Sequence, residues 1–155
     1  VSSFGKLFNI PGWKIGYCIA PEKISNEIHK NHIFQINSVN TPLQYALAEF
    51  MEGGIDTRAI RKKYEGKRNL VQEAFAHSHF DLVETKGTYF QLVKYDQISD
   101  QKDTDFISWL IRDHQIALFP LSFYYHDFVD NKVVGFNFAH SEDALKKGIE
   151  KLTSL

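Results

Sequence analysis

The stretch Val1-Ser2-Ser3-Phe4-Gly5-Lys6-Leu7-Phe8-Asn9-Ile10-Pro11-Gly12-Trp13-Lys14-Ile15-Gly16-Tyr17 constrains the chain most, because its small residues and its Pro11-Gly12 turn leave few ways to lay it down. Small polar residues lead into Lys6, which predicts a strand that ends there and presents an amine at its carboxyl end, where open α/β sheets place ligands. Pro11-Gly12 predicts a reversal that folds Lys14 back toward Ser3. A hydroxyl and an ammonium so gathered can hold a phosphate, and a lysine beside them can form a Schiff base. Taken alone, Lys6 is an ordinary exposed lysine beside a turn; the company of Ser3 and Lys14 sets it apart.

Residues 15–20 are short, apolar and rich in β-formers, so a buried strand is expected, with a helix starting at Pro21-Glu22. Ile24, Ile28 and Phe34 give that helix a loose apolar face, with His29 and His32 near its end. Two imidazoles are too few for a metal site, so a solvated face is preferred and no metal is predicted. After a polar turn, Leu43, Ala46, Leu47 and Phe50 recur at helical spacing until Gly53-Gly54 stops the helix. Asp56-Thr57 caps a long helix reaching Phe75, with Ile60, Tyr64, Leu70, Val71 and Phe75 on one face. Its basic face, including Arg58, Arg61, Lys62, Lys63, Lys67 and Arg68, has no aromatic platform beside it and reads as solvated, so no nucleic acid is expected.

Two strands over 81–85 and 88–95, joined at Lys86-Gly87, predict a half-buried hairpin. Asp103-Thr104-Asp105 opens a helix that turns Phe106, Ile107, Trp109 and Leu110 inward and ends near His114. A strand over 116–120 precedes the aromatic loop Ser122-Phe123-Tyr124-Tyr125, for which two readings stand: core packing, or a wall for an apolar substrate side chain. The last strand covers 133–138, and Ser141 caps a final helix through Leu152. Residues beyond about Gly53 thus make a compact α+β domain, while those before it look like the tail of a parallel sheet, an α/β chain as a whole.

With 43% hydrophobic and 14% aromatic residues across 155 positions, the chain has the means for one packed core. Eighteen basic against 19 acidic residues leave a net charge of -1, so no global field recruits nucleic acid or an anionic membrane. The single Cys18 excludes an intrachain disulfide and, among apolar neighbours, reads as an inert buried thiol in a reducing compartment. No apolar run approaches the roughly 20 residues that span a bilayer, and no signal peptide opens the chain, so cytoplasm is the expected location.

Ser-Phe-Gly-Lys at 3–6, seven further residues, then Lys-Ile-Gly at 14–16 resembles the lysine signature of the class I/II, fold-type I pyridoxal-phosphate-dependent aminotransferases. Gly-Trp-Lys-Ile-Gly-Tyr at 12–17 is similar in particular to the branch that includes methionine, kynurenine and glutamine aminotransferases. Asn40-Thr41-Pro42-Leu43-Gln44, Gly87-Thr88-Tyr89-Phe90 and Pro120-Leu121-Ser122-Phe123-Tyr124 extend the likeness nearly end to end. The resemblance implies that Lys6 carries pyridoxal 5'-phosphate and then shuttles a proton, that Ser3 and Lys14 contact its phosphate, and that the family is dimeric. Lys14 stands where many members have arginine, keeping the charge without the fork.

On this resemblance, residues 1–52 are the end of the large cofactor-binding domain with its connecting helix, and 53–155 the C-terminal small domain, a short sheet flanked by helices. A longer N-terminal part is expected to precede them, since the chain opens without Met. The implied activity moves an amino group between a methionine-, aromatic- or glutamine-type amino acid and a 2-oxo acid; the alternative is a noncatalytic or degenerate domain kept for binding or assembly. One position departs from the pattern: Gly135 stands where the family has the arginine that holds the substrate carboxylate. Either Lys132 or His140 takes that role, or the member is altered; an arginine restored at 135 is expected to regain the anchor.

Overall fold

In the computed structural model, which describes every residue from Val1 to Leu155, the leading segment leaves extended structure at Ser3. Strand β1 (Ser2–Ser3) pairs antiparallel with β2 (Gly16–Tyr17), Ser2 opposite Tyr17 and Ser3 opposite Gly16. The chain then turns at once into a one-turn helix, α1 (Phe4–Leu7), so Lys6 sits in a helical turn and not at a strand end. The reason lies in where the backbone groups find partners. The Phe4 N–H donates to the Ile15 carbonyl (3.1 Å), and those of Phe8 and Ile10 donate to the carbonyls of Phe4 and Gly5 (2.9 and 3.0 Å), which satisfies the loop from within.

Of the expected buried strand over 15–20, only Gly16–Tyr17 pairs, and no parallel ladder forms. Ile15 is buried, but Cys18 and Ile19 are exposed, which corrects the expectation of a buried thiol: nothing in this unit packs over the run. Helix α2 (Glu22–Gln35) begins where Pro21-Glu22 places it, yet none of its residues is buried, and Phe34 is 90% exposed. In α3 (Thr41–Glu52) the Asn40 side chain accepts from the Leu43 N–H (3.1 Å), and Gly54, at φ 82, leads the chain away past Gly53. Leu47 is buried, and Phe8 meets Phe50 edge-on at 5.4 Å. The chain divides into two units, Val1–Ile60 and Arg61–Leu155.

Helix α4 (Thr57–Phe75) is capped as its sequence predicts, the Asp56 carboxylate accepting from the N–H groups of Arg58 and Ala59 (3.0 Å each). The second unit is built on a four-stranded antiparallel sheet in the order β3 (Asp81–Leu82), β4 (Phe90–Lys94), β6 (Val133–Asn137), β5 (Phe119–Pro120). The hairpin strands are shorter than expected, but the alternation holds. Gln91 and Val93 of β4 and Val134 and Phe136 of β6 turn to the core, where they meet Val71 and Phe75 of α4. Gln91 is fully buried and fully satisfied: its amide donates to the carbonyls of Val83 and Leu92 and accepts from Gln72.

Helix α5 (Asp103–Trp109) continues as a π-helical turn, Leu110–His114, which Gln115 ends in the left-handed region (φ 57). Phe106 stacks on Tyr95 at 4.1 Å between ring centroids, and both are buried. Ile116 and Leu118 enter the core although only Phe119–Pro120 joins the sheet. The final helix α6 (Glu142–Thr153) has Ser141 as its cap and buries Leu145, Ile149 and Leu152, as its sequence predicts.

Candidate functional site

Ser3 is the last residue of β1 and the residue before α1, so it and Lys6 are separated by less than one helical turn. Gly5, between them, is buried. A Cβ there would stand 3.1 Å from the Pro11 Cα and 3.3 Å from the Ser3 hydroxyl, so glycine lets the Ile10–Pro11 backbone pack close against α1. Lys14 returns to the same place by backbone continuity: it closes the 3₁₀ turn Pro11–Trp13 and precedes Ile15, whose carbonyl holds the start of α1. Lys14 itself adopts φ 55, a region that costs a branched-at-Cβ or long side chain free energy unless the surroundings impose it. Gly16 is fixed for a different reason, since a Cβ there would lie 2.6 Å from the Ser2 carbonyl oxygen. Ser3, Lys6 and Lys14 thus lie along one short loop, with Lys6 in a helical turn where a strand end was expected.

A cavity of about 430 Å³ opens beside the same segment, lined by Ser2, Tyr17, Cys18, Ile28, His29 and His32 among others. Adjacent strand residues face opposite ways, so this cavity lies on the Ser2 side and not on the Ser3 side.

In the second unit, Gly135 faces away from the core, in a row with Leu92 and Phe119 on the neighbouring strands. A Cβ at 135 would stand 2.0 Å from the Phe119 Cζ, far inside van der Waals contact. That ring meets Phe90 edge-on at 5.3 Å and Tyr124 at 6.4 Å, so three aromatics close over the position. An arginine at 135 would therefore meet the Phe119 ring, which has to move aside before such a side chain can reach out. Lys132 does not replace it either. Its ammonium donates to the carbonyls of Asp100 and Gln101 (2.6 Å each) and lies 3.7 Å from the Asp130 carboxylate. His140 lines another cavity, of about 480 Å³, with Gln115, Asn137 and Lys147, whose lining includes neither Gly135 nor Phe119.

The aromatic loop forms a 3₁₀ turn, Ser122–Tyr124, in which only Ser122 is buried; Phe123 and Tyr124 are exposed, which rules out core packing. Ser122 is held by the residue that opens α5. Asp103, 2% exposed, accepts from the Ser122 N–H (2.8 Å) and from its hydroxyl (2.9 Å). Asp130 accepts in turn from the N–H groups of Asp103 (3.2 Å) and Lys132 (2.8 Å). Burial first, and then the carboxylates of Asp130 and Asp103, push the Tyr95 phenol well above its ordinary pKa; its hydroxyl donates to the Gln101 carbonyl.

Residues 1–152 match the family model for class I and II aminotransferases. The chain is 39% identical to the methionine aminotransferase of Escherichia coli K12, over all of this chain and 40% of that protein. It is 28% identical to the kynurenine–oxoglutarate transaminase of Dictyostelium discoideum, over all of this chain and 41% of that one. Among solved structures, an Escherichia coli protein identified as having methionine aminotransferase function superposes with a TM-score of 0.91 at 38% identity, covering 99% of this chain and 41% of that one. The N-succinyldiaminopimelate aminotransferase of Mycobacterium tuberculosis, 24% identical with a TM-score of 0.85 over 98% of this chain and 40% of its own, shares the fold. The chain spans about 40% of the length of the curated relatives it matches.

Proposed function

The chain belongs to the class I and II aminotransferases, and from that premise we propose that it is the lysine-bearing part of a pyridoxal-phosphate-dependent aminotransferase that moves an amino group between an amino acid and a 2-oxo acid. The observation that carries this reading is the short loop, closed by the bond from the Phe4 N–H to the Ile15 carbonyl, along which Ser3, Lys6 and Lys14 are carried. A hydroxyl and an ammonium suit a phosphate, and a primary amine suits an aldehyde, so the donor set fits pyridoxal 5'-phosphate. The bound cofactor supplies an electron sink for the substrate carbon. Lys6 holds the cofactor and moves the proton, while Ser3 and Lys14 orient its phosphate.

The likeness to a methionine aminotransferase supports a donor of methionine, aromatic or glutamine type. Residues 1–52 belong to the cofactor domain and 53–155 to the small domain. The unburied apolar face of α2, with Ile24, Ile28 and Ile33, supports a homodimer or burial against the rest of a longer protein. No helix is long and apolar enough to cross a membrane, and a cytoplasmic setting accords with that.

Borohydride reduction of the cofactor-loaded protein followed by peptide mapping is the test. Label on Lys6 is expected; label on other lysines with Lys6 untouched refutes the assignment. The Phe119 ring over Gly135 favours one second reading, a degenerate member that keeps the fold without the carboxylate anchor. Cofactor capture at Lys6 with no turnover of any amino acid would select it.

A further inference from the structure

Lys6 stands on a helix too short to hold itself. A first helical turn fixes several dihedrals for one closed hydrogen bond, so α1, four residues long, is unfavourable on its own, and Ser3 gives it no side-chain cap. What holds it is a run of rings. Phe4 and Phe8, one turn apart and so on one face, stack at 5.9 Å with their planes 11° from parallel. Phe4 meets Tyr17 of β2 at 5.0 Å, and Phe8 meets Phe50 of α3 edge-on at 5.4 Å. The rings therefore tie α1 both to β2 and to α3, all within the first unit. Lys6 lies two residues from each of the two rings on α1, about 200° around the helix axis, so its exposed side chain leaves from the opposite face.

We propose that Phe8 is a positioning residue for Lys6: in contact with both Phe4 and Phe50, it fixes how far α1 is turned about its axis and so where the Lys6 amine projects. This rests on reading Lys6 as the cofactor lysine. The two groups that serve the phosphate are placed by other means. Ser3 is held by the pairing of β1 with β2, and Lys14 by the 3₁₀ turn before it and by the bond from the Phe4 N–H to the Ile15 carbonyl after it. Loosening Phe8 therefore disturbs the amine and spares the phosphate, a split that a general loss of structure does not give.

The test uses the full-length protein with Phe8→Ala, Phe8→Leu and Phe50→Ala, and two probes. Pyridoxine 5'-phosphate carries an alcohol in place of the aldehyde, so its affinity reports the phosphate and ring contacts without the amine. Pyridoxal 5'-phosphate also condenses with an amine, releasing water, and borohydride then reduces the C=N bond, so the rate of label at Lys6 reports where the amine stands. For Phe8→Ala the labelling rate is expected to fall about tenfold, with pyridoxine 5'-phosphate affinity within about twofold of the parent. Phe8→Leu keeps apolar bulk without the edge-on contact and is expected to fall between. Phe50→Ala removes that contact from a residue 57% exposed, so it tests the same link even where Phe8→Ala does not fold; a fall of about threefold in labelling rate is expected.

Labelling of Lys6 at the parent rate in Phe8→Ala and Phe50→Ala overturns the proposal. So does a loss of equal size for both probes, since the loop has then simply come apart and Phe8 has no particular bearing on the amine. Failure of the cofactor reading looks different. Label that avoids Lys6 in the parent itself removes the lysine's role, and the positioning role with it, whatever the variants do.

Discussion

Gly135→Ala adds one methyl group to a strand whose backbone is ordinary extended chain, so conformational strain does not enter and only the room above the residue matters. That room is filled by the Phe119 ring. The ring must swing off the glycine, giving up its edge-on contacts with Phe90 and Tyr124, worth about 0.5–1.5 kcal/mol each. Overpacking adds about 1–3 kcal/mol. Phe119 is half-buried and has somewhere to go, so the lower part of that range applies: about 2–3 kcal/mol, a fall in Tm of about 5–10 °C for a chain of this size.

With Phe119→Ala the sign reverses. The methyl then meets open space, and replacing a strand glycine by alanine is expected to stabilise by about 0.5–1 kcal/mol. The double-mutant cycle, measured by urea or thermal unfolding, should show a coupling of about 3 kcal/mol. If Gly135→Ala costs the same in both backgrounds to within about 0.5 kcal/mol, the steric reasoning is refuted. The same cycle governs arginine, which shares that Cβ: Gly135→Arg must displace the Phe119 ring, and Phe119→Ala beside it should lower that cost.

Gly16→Ala should unpair β1 from β2, since the new methyl meets the Ser2 carbonyl, which belongs to the backbone and cannot step aside as a side chain can; an unchanged Tm would count against this. Lys14→Ala should weaken pyridoxal phosphate binding about 10- to 100-fold, and Lys14→Arg should not, because arginine keeps the charge and adds the fork; superimposable cofactor titrations for parent and Lys14→Ala remove the phosphate role. Tyr95 sets an alkaline limit. Below about pH 10 its phenol is protonated in both folded and unfolded chains and its contribution is whole; above that the unfolded phenol ionises while the folded one, held neutral by burial and by Asp130 and Asp103, does not, so stability falls as pH rises, by about 1.4 kcal/mol per unit. Tyr95→Phe should start lower, for want of the bond to Gln101, and decline less between pH 10 and 12; parallel curves would refute the assignment.

What the sequence showed plainly was local. Asp56 and Ser141 announce their helices because a capping side chain bonds to backbone only two or three residues away, and Gly53-Gly54 ends α3 by the same short-range logic. The short loop that carries Ser3, Lys6 and Lys14 was legible from its Pro11-Gly12 turn, although Lys6 sits in a helical turn and not at a strand end. What stayed hidden depends on partners far along the chain. Phe119 over Gly135 requires the β5–β6 register, and the Asp103–Ser122 bonds join residues 19 apart, where an acid opening a helix looks like any other. The loose apolar face of Ile24, Ile28 and Phe34 stays exposed for the converse reason: a periodic face shows what is able to be buried, not whether this chain supplies the cover.

The sheet order has a bearing on how the second unit assembles. Its central ladder joins β4 to β6, about forty residues later, and β6 in turn receives β5, which precedes it. Closing a loop of that length costs about 3 kcal/mol of chain entropy before the first rung is made. The α4 helix and the β3–β4 hairpin face no such cost and are expected to form first. Until β6 arrives, β4 stands as an unpaired edge with Phe90, Leu92 and Val93 along it, a template on which a second nascent chain is able to add. Refolding yield should therefore fall with protein concentration more steeply than the stability of the finished fold suggests, and the rate of ladder closure will set how long that window stays open.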